Sequence, residues 1–287
     1  MTILAVLSDI HGNLPAFEAA CRDLAAFSPD HVVVAGALIN WGPSSREVLE
    51  RVAALGWVAL RGNNELYLTD FGTPRAPTEW ADPVQYSLLP WLQRQVGPEW
   101  RRRIAAWPDE IVVRVDDAPP LRIAHGLPGD PWGGIRTTDT DESFSRALSG
   151  IPESTFVTGH THLQFDRRVG ARHVVNPGSV GVPLGGRHEA QYAILDGDAD
   201  GWRATLRRTP FDVEPLLREL ERIGYVEELG LLGRLCAEEL RTARMHVVTF
   251  FRWRDASCPD EPLAPALLER YLRADWARYV PEAYRAG

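Results

Sequence analysis

The first 60 residues alternate between short apolar runs and helical patterns, and this alternation restricts the fold more than any other feature of the chain. Residues 3–7 form an apolar run, followed by a helical pattern through Phe17, Ala20, Leu24 and Phe27. A second apolar run covers 31–35, a second helical stretch 44–55, and a third run 57–60. Strand, helix, strand, helix, strand predicts a mainly parallel sheet covered by helices, because parallel neighbours need a crossover connection. Such sheets bind ligands beyond the carboxyl ends of their strands. The residues just after each strand are therefore the ones that carry chemistry.

Those positions are rich in metal-ligating side chains. After the first run comes Asp9-Ile10-His11, after the second Gly36-Ala37 with Gly42, and after the third Gly62-Asn63-Asn64-Glu65. Later strands deliver His125-Gly126 and then Gly159-His160-Thr161-His162. Asp9, His11, Asn63, His125, His160 and His162 are thus candidate oxygen and nitrogen ligands at strand ends. Imidazole with carboxylate suits zinc, manganese, iron or nickel better than magnesium or calcium. The D-x-H and H-x-H spacings place two side chains on one side of an extended segment, where each pair can converge on a metal.

This order of motifs resembles the calcineurin-like metallophosphoesterase family, in particular its small bacterial phosphodiesterase and phosphatase members. The family pattern runs D-x-H, G-D-x-x-x-x-G, G-N-x-E or G-N-H-E, a lone His, and G-H-x-H; the resemblance covers roughly residues 3 to 210. Asn176-Pro177-Gly178-Ser179 also looks like the loop that follows G-H-x-H in small members. The resemblance implies a four-layer α/β/β/α sandwich, two packed mixed sheets flanked by helices. It implies that Asp9, His11 and His162 hold one metal and that Asn63, His125 and His160 hold the other. Two divalent transition metals are expected, manganese first, with iron, zinc or nickel as alternatives. A hydroxide between them would attack phosphorus in line. His11 would also stand beside the leaving group, and Asn63 would position the phosphate.

Two departures from the pattern matter. Ala37 stands where the family has the aspartate that bridges both metals, and a methyl group cannot ligate. Asp9 is left as the one carboxylate of the set, so the second metal should bind more weakly and activity should be attenuated. The motif is otherwise intact through Asn40-Trp41-Gly42-Pro43, which argues against long neglect. A recent or engineered change and a variant working with fewer metals both stay open. The second departure is Asn64, where protein-phosphatase relatives carry a histidine; an amide donates a hydrogen bond but is no general acid.

The rest of the chain is read more coarsely. Residues 70–83 form a Gly-, Pro- and Thr-rich loop, and a Trp- and Arg-rich helical stretch follows to about 106. Short strands at 111–115, 121–124, 155–158, 164–169, 173–175, 191–195 and 202–208 suggest a second, more antiparallel sheet. After Pro210 the pattern turns helical, so residues 1–210 read as a catalytic domain and 211–287 as a helical C-terminal extension. The late aromatics, among them Phe250, Trp253 and Tyr271, read as core or dimer contacts. Arg187 and Asn64 are candidate substrate contacts, and Trp132-Gly133-Gly134 suggests an aromatic wall at the pocket mouth. Arg101-Arg102-Arg103 reads as a solvated helix face, and Asp141 and Glu142 as the acidic start of a helix.

Composition removes several alternatives. All 31 basic residues are Arg, so no lysine Schiff base or phosphate-loop lysine is available. A net charge of −8 implies no general attraction to nucleic acid or anionic membrane. Three scattered cysteines, the lack of a signal-like start and the lack of a long apolar stretch lead to the expectation of a cytoplasmic protein. The function expected is metal-dependent hydrolysis of a phosphorylated small molecule or nucleotide. A phosphate- or nucleotide-binding regulatory module that keeps the fold without turnover is the alternative.

Overall fold

The computed structural model describes residues 1–285. Its first five elements are those expected: β1 (Thr2–Leu7), α1 (Leu14–Leu24), β2 (His31–Val34), α2 (Ser45–Ala54) and β3 (Val58–Ala59). β1, β2 and β3 pair in parallel. The chain then enters α3 (Asn63–Asp70) and α4 (Leu88–Ala105), the latter interrupted at Gly97. Helix α1 starts where the Asn13 side chain accepts a hydrogen bond from the Ala16 amide, with Pro15 in its first turn.

The second sheet is built from β4 (Glu110–Val115), β5 (Ala118–Ala124), β6 (Thr155–Thr158), β7 (Phe165–Val169) and β8 (Arg172–Asn176), in the order β4-β5-β6-β8-β7. Helix α5 (Asp141–Ala147) lies between β5 and β6 in the chain, capped by Thr140 and opening with Asp141 and Glu142 as its acidic turn. Strands β9 (Glu189–Asp198) and β10 (Gly201–Pro210) form a hairpin. That hairpin corrects the expectation of a second, more antiparallel sheet holding all the later strands. β9 pairs antiparallel with β1, so the first sheet runs β10-β9-β1-β2-β3, and the second is mixed, with β5, β6 and β8 parallel. The physical reason lies in β9 itself. Ala190, Tyr192 and Ile194 face the helices while Ala193 and Leu195 face the other sheet, and such a strand is stable only where both faces are covered.

Alternation along β1 shows how the layers are held. Leu4 and Val6 pack between the sheets with Leu121, Ile123, Val157 and Trp202, whereas Ala5 and Leu7 face the outer helices with Phe17, Val48 and Leu92. On the far side Phe144 of α5 and Leu148 at its end cover Phe156 and Val174. The result is the α/β/β/α sandwich. Beyond β10 come α6 (Glu214–Arg222), α7 (Tyr225–Thr242), α8 (Val247–Ser257) and α9 (Pro265–Arg273). Leu216, Leu220, Leu229 and Leu232 join the same core as α1, α2 and α4. Leu235, Phe250, Trp253, Leu268 and Tyr271 make a further cluster among α7, α8 and α9. Among the described residues no helix is long and apolar enough to cross a membrane.

Candidate metal centre

The loops after β1, β2, β5 and β6 meet at one end of the sandwich. The amides of Asp9, His11 and Gly12 donate to the carbonyls of Gly36, Ala37 and Leu38, which carries the parallel pairing past the strand ends. The two D-x-H and H-x-H pairs do converge, although not from extended backbone. Asp9, His11, His160 and His162 have φ of 56, 50, 65 and 57°, and Ala37 has 52°. Each left-handed non-glycine residue costs on the order of 1 kcal/mol, and a cluster of them marks a functional site. His125 threads between two backbones. A Cβ on Gly36 would come within 2.8 Å of its ring and one on Gly62 within 2.7 Å, so both glycines are needed for space, not for turning alone.

Asp9 Oδ1 is the centre of the site. It lies 3.3 Å from His162 Nε2, 3.6 Å from His11 Nε2 and 3.9 Å from His125 Nε2. Its other oxygen accepts the His160 backbone N–H at 2.9 Å. Burial alone would push the Asp9 carboxyl up, but the facing His162, His125 and His11 hold it well below the usual carboxylate range. Burial pulls His11 down to about 4 and His160 down to about 3, so both rings are neutral near pH 7. Burial also pulls on His162, yet Asp9 lifts it above its ordinary value.

Tautomers test whether these residues fit a metal. His162 Nδ1 lies 2.8 Å from the Val182 carbonyl and His125 Nδ1 2.8 Å from the Ala35 carbonyl, so in each neutral ring Nδ1 carries the proton. The Nε2 lone pairs then point inward. His162 Nε2 meets His11 Nε2 at 3.1 Å, and His125 Nε2 meets the carbonyl oxygen of the Asn63 side chain at 2.9 Å. That oxygen is oriented by Asn64 Nδ2, which donates to it at 3.2 Å. An imidazole lone pair facing an amide oxygen repels it, and a cation between them removes the repulsion. Asp9, His11 and His162 bring ligand atoms within 4.8 Å of one another. The donor set fits a divalent transition metal. His11 Nδ1 is buried without a protein partner, and the ring is held instead by stacking on Trp41, with centroids 5.0 Å apart.

Several residues that spacing alone did not single out hold this arrangement. Glu65 is fully buried, and its carboxylate accepts from the amides of Ala37, Leu38 and Gly62, each at 2.8 Å. It fixes the loop that carries Ala37. Removing it leaves three buried N–H groups unpaired, each worth about 1–3 kcal/mol. Glu65→Ala is therefore expected to lower stability by at least ~3 kcal/mol in urea unfolding; a loss under ~1 kcal/mol would show that the loop is held otherwise. Asn64 is buried and receives Asn40 Nδ2 at 2.7 Å, so its amide is committed to orienting Asn63 while its side chain also lines the cleft. The Asn176-Pro177-Gly178-Ser179 loop braces the ligand loops: Asn176 donates to Gly159 and Thr161, and Ser179 donates to the Asp9 carbonyl.

A cleft of about 500 Å³ opens over Asp9, His11, Asn63, His160 and His162. Arg136 and Arg252 line it, both exposed and without an ion-pair partner among the described residues. Arg187 does not line it; that side chain borders a neighbouring hollow and approaches Glu189 at 3.8 Å. Trp132 packs edge-on against Tyr67, centroids 4.9 Å apart, and is likewise not part of the cleft wall, which corrects the expected aromatic wall. Arg101 donates to the carbonyls of Thr69 and Phe71 and so ties α4 to the end of α3 rather than facing solvent alone.

The C-terminal helices reach the cleft too. The Tyr225 hydroxyl donates to the Trp41 carbonyl, and the Tyr284 hydroxyl to that of Thr161. Glu239 of α7 lines the cleft while only 1% exposed, and burial pushes its carboxyl from 4.5 up to about 7. The folded chain thus holds an extra proton between those values. The stability this group contributes is fully present below about pH 4.5 and lost as pH rises through about 7, a loss of ~3 kcal/mol. Glu239→Gln does not titrate. Its stability relative to the parent is expected to rise by ~3 kcal/mol between pH 4.5 and pH 8, and a flat difference across urea titrations would refute the shift.

The profile of the calcineurin-like phosphoesterase superfamily domain matches residues 1–200. Phosphodiesterase YfcE of Escherichia coli K12 is 28% identical over 200 residues, covering 69% of this chain and 89% of YfcE. An uncharacterized protein of Methanocaldococcus jannaschii is 22% identical over 254 residues, covering 81% of this chain and 99% of its own length. The crystal structure of a metallophosphoesterase from Sphaerobacter thermophilus shares the fold with a TM-score of 0.66 and 23% identity, over 84% of this chain and 99% of that one. The sheets, the strand-end motifs and the family match agree, and the chain belongs to the calcineurin-like phosphoesterase superfamily, whose members are metal-dependent hydrolases.

Proposed function

We propose that the chain hydrolyses phosphoesters of small molecules or nucleotides. Asp9, His11 and His162 would hold one divalent transition metal, with manganese preferred, and Asn63, His125 and His160 would hold a second more weakly. The observation that carries this reading is the inward-facing set of lone pairs around Asp9 Oδ1, with tautomers held by the Val182 and Ala35 carbonyls. When bound, the metal supplies Lewis-acid polarisation of the phosphoryl group and acidification of water.

The chain's own residues supply the rest. Asp9 is the ionised carboxylate that offsets metal charge, and the Asn40–Asn64–Asn63 relay fixes the oxygen that Asn63 presents. Arg136 and Arg252 add two positive charges to the cleft, without an ion-pair partner among the described residues, and favour an anionic substrate. Asn64 supplies no proton to a departing alkoxide, so esters with activated leaving groups, such as aryl phosphodiesters, should turn over best.

The test is hydrolysis of bis-p-nitrophenyl phosphate with Mn²⁺. Slow, chelator-sensitive turnover is expected. Absence of turnover with every divalent metal, in the parent and in Ala37→Asp alike, would remove the enzymatic reading. Ala37 specifically favours the second reading, a phosphate- or nucleotide-binding module. Metal-dependent phosphate binding without turnover would establish that one.

A further inference from the structure

The cleft is larger than a phosphoryl group requires, and about 500 Å³ falls in the range of roughly 300–1,000 Å³ common for small-molecule sites. Much of the remaining wall comes from beyond residue 210: Glu239 of α7, Met245 in the turn after it, Val248 and Arg252 of α8, and Tyr284. Most of these are apolar or half-apolar, and Leu184 adds to that surface.

Arg252 and Glu239 are the charged members, and Glu239 is the buried one. One oxygen, Oε2, accepts from the His246 amide at 2.6 Å and the Val247 amide at 2.8 Å, at the start of α8. The other, Oε1, is buried and has no hydrogen-bond partner among the described residues. A carboxyl anchored by two donors at one oxygen cannot turn to satisfy the other, so Oε1 stays uncommitted in a residue that lines the cleft. An unpartnered buried acceptor is costly, and proteins keep such groups where a ligand completes them. The upward push of its carboxyl to about 7 agrees with an acid that water does not solvate.

We propose that the C-terminal helices build a subsite for the alcohol half of the ester, in which Glu239 Oε1 accepts a hydrogen bond from a substrate hydroxyl or amino group. Met245, Val248 and Leu184 cover the apolar face of that half. The substrate class is a phosphoester whose alcohol carries donor groups on an otherwise apolar ring, as a nucleoside does. This rests on reading the cleft as a phosphoester site, and it gives the extension a specific task.

The experiment compares Mn²⁺-loaded parent and Glu239→Gln at pH 8, where the carboxylate is ionised. Calorimetry measures binding of three probes: inorganic phosphate, phenyl phosphate and adenosine 5′-monophosphate. In the variant, the amide oxygen can keep both α8 amides while its NH₂ group replaces the acceptor in the cleft by a donor. A buried hydrogen bond to a charged group supports a loss of about tenfold or more for adenosine monophosphate, with the other two probes changed less than about twofold. Thermal unfolding of both proteins confirms that the variant folds. Equal weakening of all three probes, or no change for adenosine monophosphate, overturns the subsite while leaving metal-dependent phosphate binding in place. Failure of every probe to bind the metal-loaded parent removes the phosphoester reading and the subsite with it.

Discussion

Ala37→Asp is expected to raise Mn²⁺-dependent hydrolysis of bis-p-nitrophenyl phosphate by at least ~100-fold. Outer-shell changes at metal sites already cost 10- to 100-fold, and here a ligand itself is restored. The backbone is ready for it. Ala37 sits at φ 52°, fully buried, with its amide on Glu65 and its carbonyl on His11. That conformation is poorly suited to alanine and several-fold more common for aspartate or asparagine. The loop's shape therefore suits an aspartate or asparagine better than the alanine it carries. Ala37→Asn separates the two effects, since it suits the backbone equally well but brings no charge, and it should gain far less. Without metal, a second carboxylate near Asp9 should lower the melting temperature; with Mn²⁺ it should raise it. If the aspartate and asparagine variants turn over at the parent rate, Ala37 does not stand where a bridging carboxylate acts, and the two-metal assignment falls.

The other large effect is expected at Asp9. Asp9→Asn should weaken binding of the tighter Mn²⁺ equivalent by more than about 100-fold, read by calorimetry or by metal content after dialysis. Asp9 faces three imidazole nitrogens, within 3.9 Å of each. An asparagine oxygen can still accept the His160 amide, so the fold should persist and the loss is chemical. His160→Ala is the contrasting case. Its ring lies against His125, centroids 5.3 Å apart, and it is not one of the Asp9–His11–His162 group, so it should affect mainly the weaker equivalent. Unchanged affinity in Asp9→Asn would place the metal elsewhere.

Legibility in the sequence varied by element for physical reasons. β6 at 155–158 matches the expected strand to the residue, and β1 to β3 match within a residue or two, because buried parallel strands are short apolar runs bounded by turn residues. β9 could not be assigned to its sheet from its pattern. Turn length shows that it forms a hairpin with β10, but pairing with β1, nearly the whole domain away, is a long-range choice. The same distinction holds at the site. Asp9, His11, Asn63, His125, His160 and His162 stood out because ligating side chains are conspicuous at strand ends. Glu65 was visible only as part of a motif, and its carboxylate points at three amides, not at the metal position.

What the sequence by itself determined is the set of side chains offered for chemistry: the candidate ligand types, their order along the chain, an alanine at 37 and the absence of any lysine. Those follow from side-chain identity, which needs no coordinates. Only the tertiary structure decided which lone pairs face inward, because tautomers depend on carbonyls at Val182 and Ala35 that are distant in sequence from His162 and His125. It also decided that α7 and α8 close the cleft with Glu239 and Arg252 instead of standing apart. Helical periodicity shows that a segment has an apolar face but not which surface will cover it. That is fixed by the competition of all apolar faces for one core, and α7 won a place beside the metal loops.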